Sequence, residues 1–183
     1  MTSNGKTKAR HPATPCRISV EGALPCALGL RRAALADAAR LFATRSGARV
    51  RTPFRAVAII LQDDAFSAEV HQAVNGASGA TDVITQRYDA MPGEEPGVYG
   101  ELYVNCDQAL RAAPRRKGWS PARELLLYVA HGMDHLSGAD DLEPRDYARM
   151  RRRELAWLQK ATGSRRGACG VYGIICGQRF KGD

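Results

Sequence analysis

Apolar positions recur along this chain with two different periods, and the switches between them lay out its elements. Residues 16–20 (CRISV) alternate as a short strand. Leu30, Ala34, Leu35, Ala38, Leu41 and Phe42 then return at spacings of three and four, one helical stripe, with Gly47 where that helix is expected to stop. Residues 54–61 (FRAVAIIL) have strand length and no polar face in their second half, which predicts a central strand. Asp63 or Asp64 is suited to cap a short helix through Phe66, Val70 and Val74, because a carboxylate accepts the unpaired amides of a first turn. Residues 75–79 (NGASG) break the chain into a loop.

A further strand is expected over residues 81–85 (TDVIT), a Gly- and Pro-rich mobile loop over 89–97, and an alternating strand over 99–104. Residues 107–113 read as a short helix closed by Pro114 and the basic run Arg115, Arg116 and Lys117. Ser120 and Pro121 form a strong helix start, serine accepting a free amide and proline giving up a donor that has no partner there; the helix should run to about residue 136. A last helix over 144–160 sets Tyr147, Met150, Leu155 and Leu158 on one broad face and five arginines largely on the other. This order predicts an α+β single domain with a small mixed sheet of about four strands packed by helices. The expected division is a flexible basic leader over 1–15, a folded domain over 16–160 and a basic Gly-rich tail over 161–183.

Composition narrows the class. The chain has 183 residues, 44% apolar and 25% charged, which suits one domain with a real core and excludes disorder throughout. No apolar run approaches the roughly 20 residues a membrane helix needs, and the first residues lack the apolar stretch of a secretory signal, so a cytoplasmic protein without membrane contact is expected. Five cysteines (Cys16, Cys26, Cys106, Cys169 and Cys176) at irregular spacing read as reduced thiols. A net charge of +8 favours polyanions such as nucleic acid, although basic proteomes and basic tails are common and charge alone says little about specificity. Nothing in the pattern indicates an oligomeric state.

Chemistry concentrates in residues 131–141 (HGMDHLSGADD). His131 and His135, at i and i+4, lie one above the other on a helix face, so both imidazoles can reach one ion at ~2.0–2.1 Å. Gly138 sits where the helix should end, and a left-handed turn there would bring the carboxylate six residues past His135, that of Asp141, towards the pair. The competing reading is two surface histidines followed by an aspartate that caps the next helix. Asp134, three residues after His131, is either an outer partner of the ion, an alternative base, or a solvent-facing helical aspartate. Gly132 stands where HExxH proteases carry their glutamate base, which argues against a peptidase.

This stretch resembles the HGxLHLxGYDH signature of the YbeY family of rRNA maturation endoribonucleases, in which three histidines hold zinc in a zincin-like metallohydrolase domain. By that resemblance His131 and His135 are ligands, Asp140 matches the signature aspartate, and Asp141 takes the place of the third histidine. The implied site is one Zn ion on His131, His135 and Asp141, with Mn or Mg admitted by the harder carboxylate; the catalytic candidates are Asp140, from the signature, and Asp134, from its place on the helix near His131. Thr81, Asp82, Val83 and Ile84 resemble the family's PTDVLSF segment, and residues 99–104 its LGDI strand. The departures are an arginine missing from 75–80, Ala80 for proline, Thr85 and Gln86 for SF, and Asp134 for the leucine before the second histidine. The resemblance implies a metal-dependent, single-strand-specific endoribonuclease acting on ribosomal RNA, with the small ribosomal subunit as partner. The alternatives are a non-catalytic, metal-stabilised RNA- or ribosome-binding factor and a metal-dependent hydrolase of another substrate. Arg149, Arg151, Arg152 and Arg153, with Arg115, Arg116 and Lys117, are candidates for phosphate contacts, and Trp119 and Tyr147 for base stacking.

Overall fold

The computed structural model describes residues 15–163. The leader up to residue 14, the tail from residue 164, and with them His11, Cys169 and Cys176 lie outside the described residues. Four strands form one mixed sheet: β1 (Arg17–Glu21), β2 (Phe54–Gln62), β3 (Val83–Tyr88) and β4 (Val98–Asn105), in the order β1-β2-β4-β3. β1 and β4 both run parallel to β2, and β3 runs antiparallel to β4. The helices are α1 (Arg32–Val50), α2 (Asp64–Asn75), α3 (Cys106–Ala112), α4 (Pro121–Leu136) and α5 (Pro144–Gly163). The α+β expectation therefore holds, with β2 inside the sheet as its unbroken apolar run requires.

Alternation decides which face is covered. On β4, Val98, Gly100, Leu102 and Val104 are buried while Tyr99, Glu101 and Tyr103 are half-buried; Val57, Ile59 and Leu61 of β2 join the buried face. α1 and α4 pack over this face, and α5 packs against both of them. α4 is buried at every position from Glu124 to Ala130, as befits a helix enclosed by other elements. Gly132 sets how closely it approaches the sheet. A Cβ there would stand 2.7 Å from Leu102 Cδ2 and 3.1 Å from Val83 Cγ2. The two separated segments that resemble the family thus meet beneath the residue that follows His131.

Several expectations shift for physical reasons. α1 runs through Gly47 to Val50, ending where Arg51 takes the left-handed conformation and donates its amide to Gly47 O. Gly47 is needed inside the helix, since a Cβ would lie 2.7 Å from Thr52 O. β3 is displaced to Val83–Tyr88 because its register continues to the Tyr88–Tyr99 pair, and as an edge strand it accommodates the polar Gln86 and Arg87. Asp63 is the cap of α2, accepting from Phe66 N at 2.9 Å, but Phe66 and Val74 face solvent. On α5 the buried set is Met150, Glu154, Trp157, Leu158 and Ala161; Tyr147 is exposed and Arg153 turns inward.

Candidate metal centre

The end of α4 is unusually well provided with partners for a helix terminus. Its last four carbonyls have no partner in the helix and must find one elsewhere. Met133 O accepts from the Ser46 hydroxyl at 3.1 Å, Asp134 O from the Ser137 and Ala139 amides, His135 O from Gly138 N at 2.7 Å, and Leu136 O from Arg87 at 3.1 Å. Arg49 adds a bond to Ser137 O at 3.4 Å. Two arginines thereby face the negative end of the helix dipole. Gly138 follows with φ +80°, and the chain doubles back over the helix end.

That turn brings Asp141 to the two histidines. His131 Nε2 and His135 Nε2 are 3.2 Å apart, and the Asp141 carboxylate lies 3.5 Å from the first and 3.7 Å from the second. A tetrahedral ion with bonds of about 2.0–2.2 Å has its ligand atoms about 3.3–3.6 Å apart, so these separations fit a single ion. All three side chains are half-buried, and His131, His135 and Asp141 form a cluster that can hold a metal ion.

The outer faces of the imidazoles decide where their lone pairs point. His135 Nδ1 lies 2.9 Å from Ala139 O, and a carbonyl can only accept, so Nδ1 carries the proton and the Nε2 lone pair faces the cluster. His131 Nδ1 lies 2.7 Å from Glu154 Oε1, which holds the same tautomer. Two lone pairs and a carboxylate then converge on one point, an arrangement that repels itself unless a cation occupies it. The donor set therefore fits a divalent metal.

Glu154 is fully buried, and sequence reading missed it. Its Oε2 finds no hydrogen-bond donor, only the charge of Arg151 at 3.4 Å. The signal was available: Met150, Glu154, Leu158 and Ala161 follow helical spacing on α5, and a carboxylate within an apolar stripe requires a buried partner. Burial lowers the His131 pKa, but the Glu154 hydrogen bond and the charges of Glu154, Asp82 and Asp141 outweigh it, leaving the pKa above the ordinary 6.5. Protons accordingly compete for this imidazole at a higher pH than for an ordinary histidine. Metal affinity measured by chelator competition should already weaken as the pH falls through this raised pKa, before 6.5 is reached. The metal-free protein should respond oppositely. Its His131 contribution to stability is complete below 6.5 and is lost as the pH rises through the folded-state pKa.

The catalytic candidates fall in different places. Asp134 is neither solvent-facing nor directed at the cluster: its side chain has no exposure, and its carboxylate receives Arg153 Nε at 2.8 Å and Nη2 at 2.5 Å, with Arg49 at 3.6 Å. A carboxylate sealed in this way cannot exchange protons with a substrate, which corrects its reading as an alternative base. Asp140 is exposed beside the cluster and accepts from Leu142 N at 3.1 Å, a turn-forming bond. Among the basic residues, Arg151 lies 3.4 Å from Glu154, the partner of His131, and is bonded to Tyr147 OH at 3.3 Å. Arg149 pairs with Asp146, Arg116 with the buried Glu124, and Arg153 with Asp134. Trp119 packs against the core with the Arg123 guanidinium 3.9 Å from its ring centre.

An α+β domain with a half-buried histidine–carboxylate cluster at the end of one helix defines a class of small domains whose cluster could hold a metal ion. The family model described as Endoribonuclease YbeY matches residues 32–162, and the chain belongs to this family. An endoribonuclease YbeY of Anaeromyxobacter sp. (strain Fw109-5) is 35% identical over 130 residues, 69% of this chain and 66% of the relative. One of Rhodopirellula baltica is 36% identical over 104 residues, 56% of this chain and 52% of the relative. The chain thus spans about half to two thirds of the length of these curated relatives. A solution structure from Thermotoga maritima shares the fold, with a TM-score of 0.52 at 22% identity over 82% of this chain and 91% of that one. Among the described residues, no helix is long and apolar enough to cross a membrane.

Gly138 offers a direct test of the turn. Alanine at φ +80° should cost about 1–2 kcal/mol of stability, and because the turn carries Asp141, metal affinity should fall with it. Denaturant melts and chelator competition on Gly138→Ala report the two effects separately.

Proposed function

We propose that this chain is a metal-dependent endoribonuclease that cleaves single-stranded RNA during ribosomal RNA maturation, with one zinc ion on His131, His135 and Asp141. The observation that carries the reading is the convergence of two imidazole lone pairs and one carboxylate at separations of 3.2–3.7 Å. The substrate follows from the name of the relatives, endoribonuclease, and from a net charge of +8, which draws a polyanion to the protein. A divalent ion there would supply Lewis acidity, bringing the pKa of water towards about 7 and polarising a phosphoryl oxygen.

The chain's own residues do the rest. Glu154 and Ala139 O hold the two imidazoles in the tautomer that presents Nε2. Asp140, exposed next to Asp141, is the candidate to accept a proton from the attacking hydroxyl. Arg151 supplies positive charge for the phosphoryl group. Asp141 in place of a third histidine makes the donor set harder, so Mn or Mg are the alternatives to Zn. The unpaired thiols of Cys16, Cys26 and Cys106 suit a reducing cytoplasm, and the small ribosomal subunit is the assembly in which such an enzyme would meet its RNA. The working unit is the domain over 16–160, with the leader and tail as appendages.

Purified protein should cut labelled single-stranded RNA, lose the activity on chelation, and regain it with zinc or manganese. Cleavage that survives complete metal removal would refute the reading. RNA binding without cleavage, with either metal, would instead support a non-catalytic ribosome-binding factor, which the absence of an arginine over residues 75–80 favours. A peptidase is disfavoured because Gly132, against Leu102 and Val83, leaves no room for a glutamate base.

A further inference from the structure

Asp134 stands where the family signature has leucine, yet it is fully buried, and burying a carboxylate is costly unless its partners are in place. Those partners come from two other helices. Arg153 of α5 binds it through Nε and Nη2, and Arg49 from the last turn of α1 lies 3.6 Å away while also bonding Ser137 at the end of α4. Asp134 therefore sits where α1, α4 and α5 meet.

The position matters because of what flanks it. On α4, Asp134 lies between His131 and His135; on α5, Arg153 is followed immediately by Glu154, the partner of His131. Two parallel side-chain links join these helices, His131 to Glu154 and Asp134 to Arg153. One link fixes a distance, whereas two fix both the slide and the rotation of α5 against α4. A slide of one residue is about 1.5 Å, which lengthens the 2.7 Å contact of Glu154 with His131 to about 3.1 Å when it runs across the bond and to about 4.2 Å when it runs along it, weakening the bond in the first case and breaking it in the second.

We propose that Asp134, a residue this chain carries in place of the family's leucine, is a positioning residue for the metal centre: through Arg153 it holds α5 in the register that lets Glu154 orient His131. The inference rests on the metal-centre reading above. Apolar packing, to which α5 contributes its buried Met150, Trp157 and Leu158, holds the helices together but resists sliding only weakly, because it is not directional. The link through Asp134 supplies the direction.

The test separates positioning from simple stabilisation. Asp134→Leu removes the link, and the freed arginines, partly exposed, can turn to solvent. The double variant Asp134→Leu/Arg153→Leu removes the buried charge altogether, a replacement that commonly leaves stability unchanged or raised. Zinc affinity by competition with a chromophoric chelator, and the hydrogen-bonded Nδ1 proton of His131 in the NMR spectrum of the metal-free protein, are measured on variants confirmed as folded by circular dichroism. The expected result for both variants is zinc affinity lower by roughly 10-fold or more, the scale of an outer-partner loss, with the Nδ1 proton signal broadened or gone. Wild-type affinity together with an unchanged signal in the folded double variant would overturn the positioning role alone. Failure of the wild-type protein to bind zinc would instead overturn the metal-centre reading on which it rests.

Discussion

Replacing His135 with alanine is expected to abolish chelator-sensitive RNA cleavage, by about 10³-fold or more, while leaving the protein folded. The size follows from chemistry: a site with three protein ligands loses one, and Lewis-acid stabilisation worth several kcal/mol disappears with the ion, at about 1.4 kcal/mol for each factor of ten. The fold should tolerate the change because His135 is half-buried, with its Nδ1 bond to Ala139 O replaceable by water. A labelled RNA assay alongside a circular dichroism melt decides the matter. Cleavage by the variant equal to wild type would place the activity elsewhere.

Arg153→Ala should produce the largest loss of stability among surface-reaching residues. Breaking one partner from a buried ion pair typically costs about 3–5 kcal/mol, because the remaining charge stays desolvated. Here the lower end applies, about 3 kcal/mol, since Arg49 remains 3.6 Å from Asp134 and can move closer. In a chain of 183 residues that corresponds to a fall in melting temperature of roughly 6–12 °C. A thermal melt showing a change below about 2 °C would mean that Arg49 alone satisfies Asp134. Arg152→Ala, one residue earlier and exposed, is the control and should have little effect on the melt.

The contrast between these two residues shows what the sequence could and could not reveal. His131, His135, Gly138 and Asp141 were legible because their relation is local: a helical i, i+4 spacing, a glycine able to take a positive φ, and a carboxylate three residues beyond it. The main elements were legible for a similar reason, since the apolar periods of β2, β4 and α4 match the faces they bury. Glu154 occupies the apolar stripe of α5 but directly follows three arginines, so in the sequence it resembles one more charge on a solvated face. The link from Asp134 to Arg153 and Arg49, and the capping of the α4 carbonyls by Ser46 and Arg87, carry no local signature. They join residues far apart in the chain and emerge only when the helices pack. The solvent-facing reading of Asp134 failed on that account: helical spacing gives a side chain's direction, but not what another helix places there.

A common physical theme runs through the centre. Each imidazole presents Nε2 inward because its outer nitrogen is already committed, one to a backbone carbonyl in its own turn and one to a buried carboxylate from another helix. Such outer contacts fix ring orientation before any ion arrives, so less ordering remains to be done on binding. The three side chains are only half-buried, so the cluster keeps contact with solvent.

X-ray absorption spectroscopy of the protein loaded with one equivalent of zinc tests this account most directly. The expected spectrum has two imidazole nitrogens and carboxylate oxygen at about 2.0–2.2 Å with no sulfur in the shell. A shell containing thiolate sulfur at about 2.3 Å, or no zinc retained at one equivalent, would contradict it.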